Sequence, residues 1–159
     1  NGKCAFKGKH NKELINEYKN DKFFKLNYPK SLDREYFKKY FNKLKKLKKN
    51  DSICTATTMT IESILIAIKL SKIKFKNLIL TGGGRKNLFI LKKLKQKLLK
   101  FNIKLFIIDK FGFNGDMLEA QMFGYLAIRS IKKMPLSTPC TTGVKKTLSG
   151  GVLYGKLRN

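Results

Sequence analysis

The sequence has one histidine, three cysteines and ten acidic residues among 159, and each shortage removes a class of chemistry. His10 is the sole histidine and lies in a polar stretch, which removes most Ser-His and Cys-His nucleophile schemes and leaves a surface side chain as its reading. Cys4, Cys54 and Cys140 are odd in number, far apart and without a histidine cluster. They suggest neither a disulfide framework nor a zinc site, and fit a reduced, cytoplasmic compartment. No apolar run is long enough to span a bilayer, since the best, over residues 61–70, is interrupted by Glu62, Ser63 and Lys69. A membrane is therefore not an expected partner. There is no secretory signal pattern and no initial methionine, so a processed product or a fragment of a longer protein is expected, the fragment being favoured.

Arginine is scarce as well. The formal net charge of +26 comes from 36 basic residues, of which only Arg34, Arg85, Arg129 and Arg158 are arginine. Such a charge suggests nucleic acid or an anionic surface. Lysine with abundant Asn, Ile, Phe and Tyr is also what codon drift toward A and T produces, and bidentate arginines for base readout are few. Nucleic acid is accordingly the rival reading and not the expected partner.

The 42% of hydrophobic residues are enough for one domain with a core. Residues 1–9 suggest a short strand or hairpin arm. Helical spacing appears over part of 11–25, and Pro29 interrupts it with a loop. A second helix is expected over 32–49 with Ser31 or Asp33 as cap. A third follows, capped by Asp51 or Ser52, with a broad apolar face and the string Thr55, Thr57, Thr58, Thr60 suggesting a close helix contact. The apolar runs 78–80 and 103–108 read as strands joined by a helix near 87–100, a parallel βαβ unit. A last helix near 115–132 contains Gly124, which suggests close packing. A loop-rich tail follows, with a short strand over 152–154.

The stretch Leu80-Thr81-Gly82-Gly83-Gly84-Arg85-Lys86-Asn87 puts three glycines between a strand and a helix. Glycines let a backbone approach a ligand closely, and helix-start N–H groups favour an anion, so phosphate is one guest and a tight structural turn the other reading. The spacing is neither that of a P-loop nor that of a dinucleotide fingerprint. Arg85 and Lys86 could neutralise phosphate, though charge alone says little in a lysine-rich chain; Asn87 makes a specific hydrogen bond or caps the helix. Asp109, Asp116 and Glu119 cluster after the second strand. Asp116 and Glu119, three apart, either cap the last helix or place Glu119 toward a cleft beside the glycines. Lys30, Ser31 and Arg34 form a second candidate anion site or a solvated, capped loop.

Five stretches then occur in order: 28–37 (Tyr28-Pro29-Lys30-Ser31 onward), Thr55-Ala56-Thr57-Thr58-Met59-Thr60, Thr81-Gly82-Gly83-Gly84-Arg85-Lys86-Asn87, Gly115-Asp116-Met117-Leu118-Glu119-Ala120 with its lead-in from Gly112, and Thr141-Thr142-Gly143. This order resembles the carboxyl-terminal portion of anhydro-N-acetylmuramic acid kinase. The resemblance departs at Leu32-Asp33, where the family usually has threonine-glycine. It implies an α/β, ribonuclease-H-like lobe of the actin-like sugar-kinase superfamily, with 1–31 as lead-in and loop, 32–134 as helical and βαβ core, and 135–159 as tail. It also implies ATP and Mg2+ as cofactors and phosphorylation of 1,6-anhydro-N-acetylmuramic acid to N-acetylmuramic acid 6-phosphate. Gly82, Gly83, Gly84 and Asn87 would lie on the nucleotide side, and Glu119 and Asp116 on the sugar side. No metal ligand and no catalytic base are assigned here, since the family carries its phosphate loop and catalytic aspartate before the matched region. The missing amino-terminal lobe is thus an expected partner, the chain alone is expected to be inactive, and a homodimer stays open.

Overall fold

A computed structural model describes residues 1–155, the side chain of Arg34 excepted. The opening residues form helix α1 (Lys3–Lys7) where a strand or hairpin arm was expected. Alternating apolar residues over so few positions do not separate a strand from a helical turn, and packing decides. Ala5 is buried in the main core, and a Cβ at Gly8 would stand 2.1 Å from the Asn50 carbonyl oxygen, so the chain must pass close to the helix beside it.

Helix α2 (Lys12–Lys19) is capped by Asn11, whose Oδ1 accepts the Leu14 N–H at 2.8 Å. Its Leu14 and Ile15 are buried. Asp21 ends the periodic stretch by capping a separate short helix, α3 (Lys22–Lys25). Asp33 caps a 3-10 turn, Arg34–Phe37, which leads into α4 (Lys38–Leu44). Helix α5 (Lys49–Leu70) starts earlier than expected: its N-cap is Lys48, without a side-chain bond. Asp51 and Ser52 therefore lie inside the helix, and Asp51 accepts the Lys9 N–H at 2.7 Å instead of capping.

The 22 residues of α5 are long and apolar enough, by length and composition, to cross a membrane, which the interrupted run in the sequence did not suggest. Here the helix lies between two cores. Cys54, Ile61 and Leu65 join Ala5, Leu94 and Leu98 in one, and Met59 joins Leu14, Ile15, Tyr40 and Leu44 in the other. Burying a side chain such as Leu94 or Leu98 contributes about 2 kcal/mol. The threonine string serves this packing. Thr55 is fully buried, donates to the Asp51 carbonyl at 2.7 Å and accepts the Asn11 N–H at 2.9 Å. Glu62, also buried, is matched by Lys97 at 2.6 Å and by Lys19 at 3.8 Å.

Strand β1 (Asn77–Leu80), α6 (Leu88–Leu98) and β2 (Lys104–Ile107) make the expected βαβ unit, with β1 and β2 parallel and Leu78 opposite Leu105. Two strands alone are a marginal sheet. Leu78, Leu80 and Leu105 gain their stability by packing on the core that α5 and α6 share.

The chain divides into two compact units, residues 1–26 with 32–116, and residues 27–31 with 117–159. The boundary after Asp116 falls inside the stretch 32–134 that the sequence suggested as one core. The second unit holds α7 (Leu118–Ile131) and α8 (Pro139–Thr142). Among the described residues none of α7 is buried and a Cβ at Gly124 would meet nothing within 4 Å, so they show no close contact at Gly124. Residues 152–154 form no strand; the tail is instead pinned by an antiparallel bridge between Ser137 and Leu148. Arg129 braces the end of α7, donating from Nε to the Pro135 carbonyl at 2.7 Å and from Nη1 to the Tyr125 hydroxyl at 2.9 Å.

Asp21 joins three elements of the first unit. Its carboxylate accepts from Tyr36 OH at 2.5 Å, Lys39 Nζ at 2.6 Å, Tyr40 OH at 2.7 Å and the Phe23 N–H at 2.9 Å. Burial pushes this carboxyl up, but the bonds from Lys39, Tyr36, Phe23 and Tyr40 together outweigh it and hold the group well below the usual carboxylate range. Asp21→Asn should cost about 2 kcal/mol of unfolding free energy at pH 7, because it weakens a buried, charge-assisted set of bonds. A group with a lowered folded pKa contributes stability above its unfolded pKa of about 4 and loses it as pH falls toward the folded value. Urea unfolding at pH 7 and at pH 3 should therefore show the gap between wild type and variant narrowing at the lower pH.

Candidate functional site

The end of β1 leads directly into the three glycines. Gly82 has φ 66° and ψ −173°, a region that is essentially restricted to glycine, so its identity is dictated by the backbone. Gly83 and Gly84 differ. Neither has a positive φ, they open the 3-10 turn Gly83–Lys86, and a Cβ on either would meet nothing within 4 Å. The packing of the described residues gives no reason for glycine at these two positions. What their bareness does provide is open space against the backbone, where a phosphate could approach N–H groups that a 3-10 turn leaves unpaired at its start.

Asn87 closes the turn as the N-cap of α6. Its Oδ1 accepts the Phe89 N–H at 3.1 Å and the Ile90 N–H at 3.3 Å, so the side chain caps the helix. The amide NH2 of Asn87 is a donor that the cap does not use.

Arg85, whose charge alone says little in so basic a chain, is the residue that ties the turn to its surroundings. It is only 5% exposed. Its Nε donates to Asp109 Oδ2 at 2.6 Å and its Nη2 to Asp109 Oδ1 at 3.1 Å. Its Nη1 donates to the Gly82 carbonyl at 3.0 Å and to Asp116 Oδ1 at 2.8 Å. Lys86 Nζ takes the other oxygen of Asp116 at 2.5 Å. Arg85 holds Asp109 below the usual carboxylate range, and Arg85 followed by Lys86 does the same for Asp116; the two carboxylates in turn push the guanidinium further up. Two cations and two anions balance, so this cluster offers no net positive charge to a ligand. The signal for it in the sequence was the pair of scarcities, few acidic residues and fewer arginines, meeting at the ends of two adjacent parallel strands.

Asp116 therefore has both oxygens engaged within the protein. Glu119 lies in the first turn of α7, exposed, in the second unit. Lys30 Nζ sits 4.8 Å from the centre of the Tyr28 ring, Asp33 accepts the Glu35 N–H, and the Arg34 side chain lies outside the described residues. Among the described residues no group of three His, Cys, Asp or Glu could hold a metal ion. A groove of about 380 Å3 between α6 and β2, lined by Leu91, Phe106 and Lys110 among others, contains none of the site residues.

Comparison with known proteins agrees with the order of motifs. The family profile for anhydro-N-acetylmuramic acid kinase matches residues 1–156. Relatives named anhydro-N-acetylmuramic acid kinase are 35% identical over 153 residues in Zymomonas mobilis, 38% over 157 in Pelagibacter ubique and 34% over 152 in Rhodopseudomonas palustris. Each alignment covers 96% of this chain, and 40%, 41% and 40% of the respective relative. The chain thus spans about 40% of the length of the curated relatives it matches. A profile match over nearly every residue, with the glycine turn and the acidic segment both inside it, places this chain in the anhydro-N-acetylmuramic acid kinase family.

Proposed function

We propose that this chain is the nucleotide-side, carboxyl-terminal lobe of a kinase that phosphorylates 1,6-anhydro-N-acetylmuramic acid with ATP. The observation that carries the reading is the pair Gly83 and Gly84, bare without an internal reason, in a chain of this family. In the reaction water adds to C1 of the sugar as the C1–O6 bridge opens. O6 forms a bond to the γ-phosphorus, the bond to ADP breaks, and the water proton passes to a carboxylate base. The product is N-acetylmuramic acid 6-phosphate, an amino sugar recovered from cell-wall material in the cytoplasm.

Phosphoryl transfer requires positioning, charge neutralisation and a base. This chain contributes positioning. Gly82 to Gly84 line the nucleotide, Asn87 offers the amide donor that its cap leaves unused, and Glu119 serves the sugar. The base and the phosphate loop belong to the portion of the relatives that this chain does not cover, and the lobe is of the ribonuclease-H-like type. Asp109 and Asp116 are engaged by Arg85, so they do not fit a magnesium site, and Mg2+ would be held outside this cluster. Arg85 and Arg129 make internal bonds, which also takes them away from base readout in a nucleic acid.

Incubating ATP and the anhydro sugar with this chain, and separately with the complete polypeptide that carries it, should give the 6-phosphate only in the second case. Equal turnover by the chain alone would refute the division of labour, and no turnover by the complete polypeptide would refute the kinase reading. The glycines should separate stability from function. Gly82→Ala should lower stability by roughly 1–3 kcal/mol through backbone strain. Gly83→Ala and Gly84→Ala should leave the melting temperature within about 2 °C while raising the KM for ATP several-fold, as thermal unfolding and steady-state kinetics would show.

A further inference from the structure

We propose that Arg85 is a positioning residue that sets the shape of the nucleotide-facing turn, with Asp109, Gly115 and Asp116 as its mount. The inference rests on the kinase reading and assigns a role to a residue which that reading leaves idle.

Direct binding of phosphate by Arg85 is excluded by its geometry. Nε, Nη1 and Nη2 all donate within the protein, the side chain is 4% exposed, and its charge is met by two carboxylates. What it does touch is the turn itself. Nη1 holds the carbonyl of Gly82, the residue whose φ of 66° sends the chain into Gly83 and Gly84. The same guanidinium fastens that carbonyl to the end of β2 through Asp109 and to the following loop through Asp116. A planar fork with five N–H groups reaches three segments at once, which a lysine does not. Gly115 completes the mount. A Cβ there would stand 2.4 Å from Arg85 Nε and 2.7 Å from Cζ, so any side chain at this position displaces the guanidinium. Arg85→Ala and Gly115→Ala thus strike one device from two sides, one by deletion and one by displacement.

The test measures KM for ATP and for the sugar, with kcat, in the complete polypeptide that carries this chain. Wild type, R85A, G115A and the double variant are compared, alongside thermal unfolding and calorimetric binding of a non-hydrolysable ATP analogue. The KM for ATP should rise about tenfold in each single variant, the KM for the sugar should stay within about twofold, and the double variant should be no worse than the poorer single one. Loss of folded protein lowers the active fraction and hence apparent kcat, and does not raise KM for one substrate alone. An unchanged KM for ATP in the folded single variants, or additive effects in the double, would overturn the proposal. Should R85A fail to fold, D116A removes the Asp116 arm together with its bond to Lys86 and should still raise KM for ATP; an unchanged value there overturns the proposal equally. If wild type binds the analogue but leaves the sugar unphosphorylated, the kinase reading fails while the analogue affinities of the same variants decide the role of Arg85. If wild type binds no analogue, both fall.

Discussion

Burial of α5 on two sides is the constraint from which the larger unit follows. One side of this helix meets α1, α6 and the sheet through Cys54, Ile61 and Leu65, and another meets α2 and α4 through Met59. A helix in that position has no fully polar face to offer water, which is why its polar residues are turned inward on its own backbone. Thr55, Thr57 and Thr58 each donate to the carbonyl four residues back, and Glu62 is met by lysines from two neighbouring helices. Among the described residues every buried side-chain nitrogen and oxygen has a hydrogen-bond partner, so the helix can be buried at little penalty. The two-stranded sheet depends on the same core, since Leu78, Leu80 and Leu105 pack against it.

On that foundation the glycine turn is held by electrostatics of a different kind. Arg85 is anchored from one side by a strand end and from the other by a loop, and what it grips between them is a backbone carbonyl. Backbone N–H groups bind anions well only when their directions are fixed beforehand, because a mobile loop must lose conformational entropy as it closes on its ligand. A buried ion cluster that confers little net stability can still fix one local conformation. The turn combines both properties: glycines that leave room, and a guanidinium that removes freedom.

Periodicity and turn chemistry made the larger elements readable from the sequence, and they failed where a single side chain overrode a pattern. The βαβ unit was legible because two short apolar runs flank an eleven-residue amphipathic helix, a pattern with few other solutions. A helix over part of 11–25 is present as α2, and what no local window contains is the second, short helix, whose cap, Asp21, also draws Tyr36, Lys39 and Tyr40 to itself. Residues 1–9 form a helix and not a strand because alternation over so few positions leaves the choice to packing, here Ala5 in the core and Gly8 passing close beside Asn50. In the site, the glycines announced themselves and their holder did not. Arg85 looked like one more cation on a crowded surface, and only the ends of β1 and β2, brought side by side, show what it pairs with.

The balance of charge at the turn separates two properties of this chain that otherwise look like one. The chain carries a formal net charge of +26, yet Arg85, Lys86, Asp109 and Asp116 cancel among themselves at the wall proposed for the nucleotide. A lineage whose genome drifts toward lysine codons can go on loading solvated helix faces with ammonium groups, changing how the protein behaves toward salt and polyanions. The wall beside the glycines is insulated from that drift, because its geometry is fixed by a closed set of partners and its own contribution to the field is close to zero.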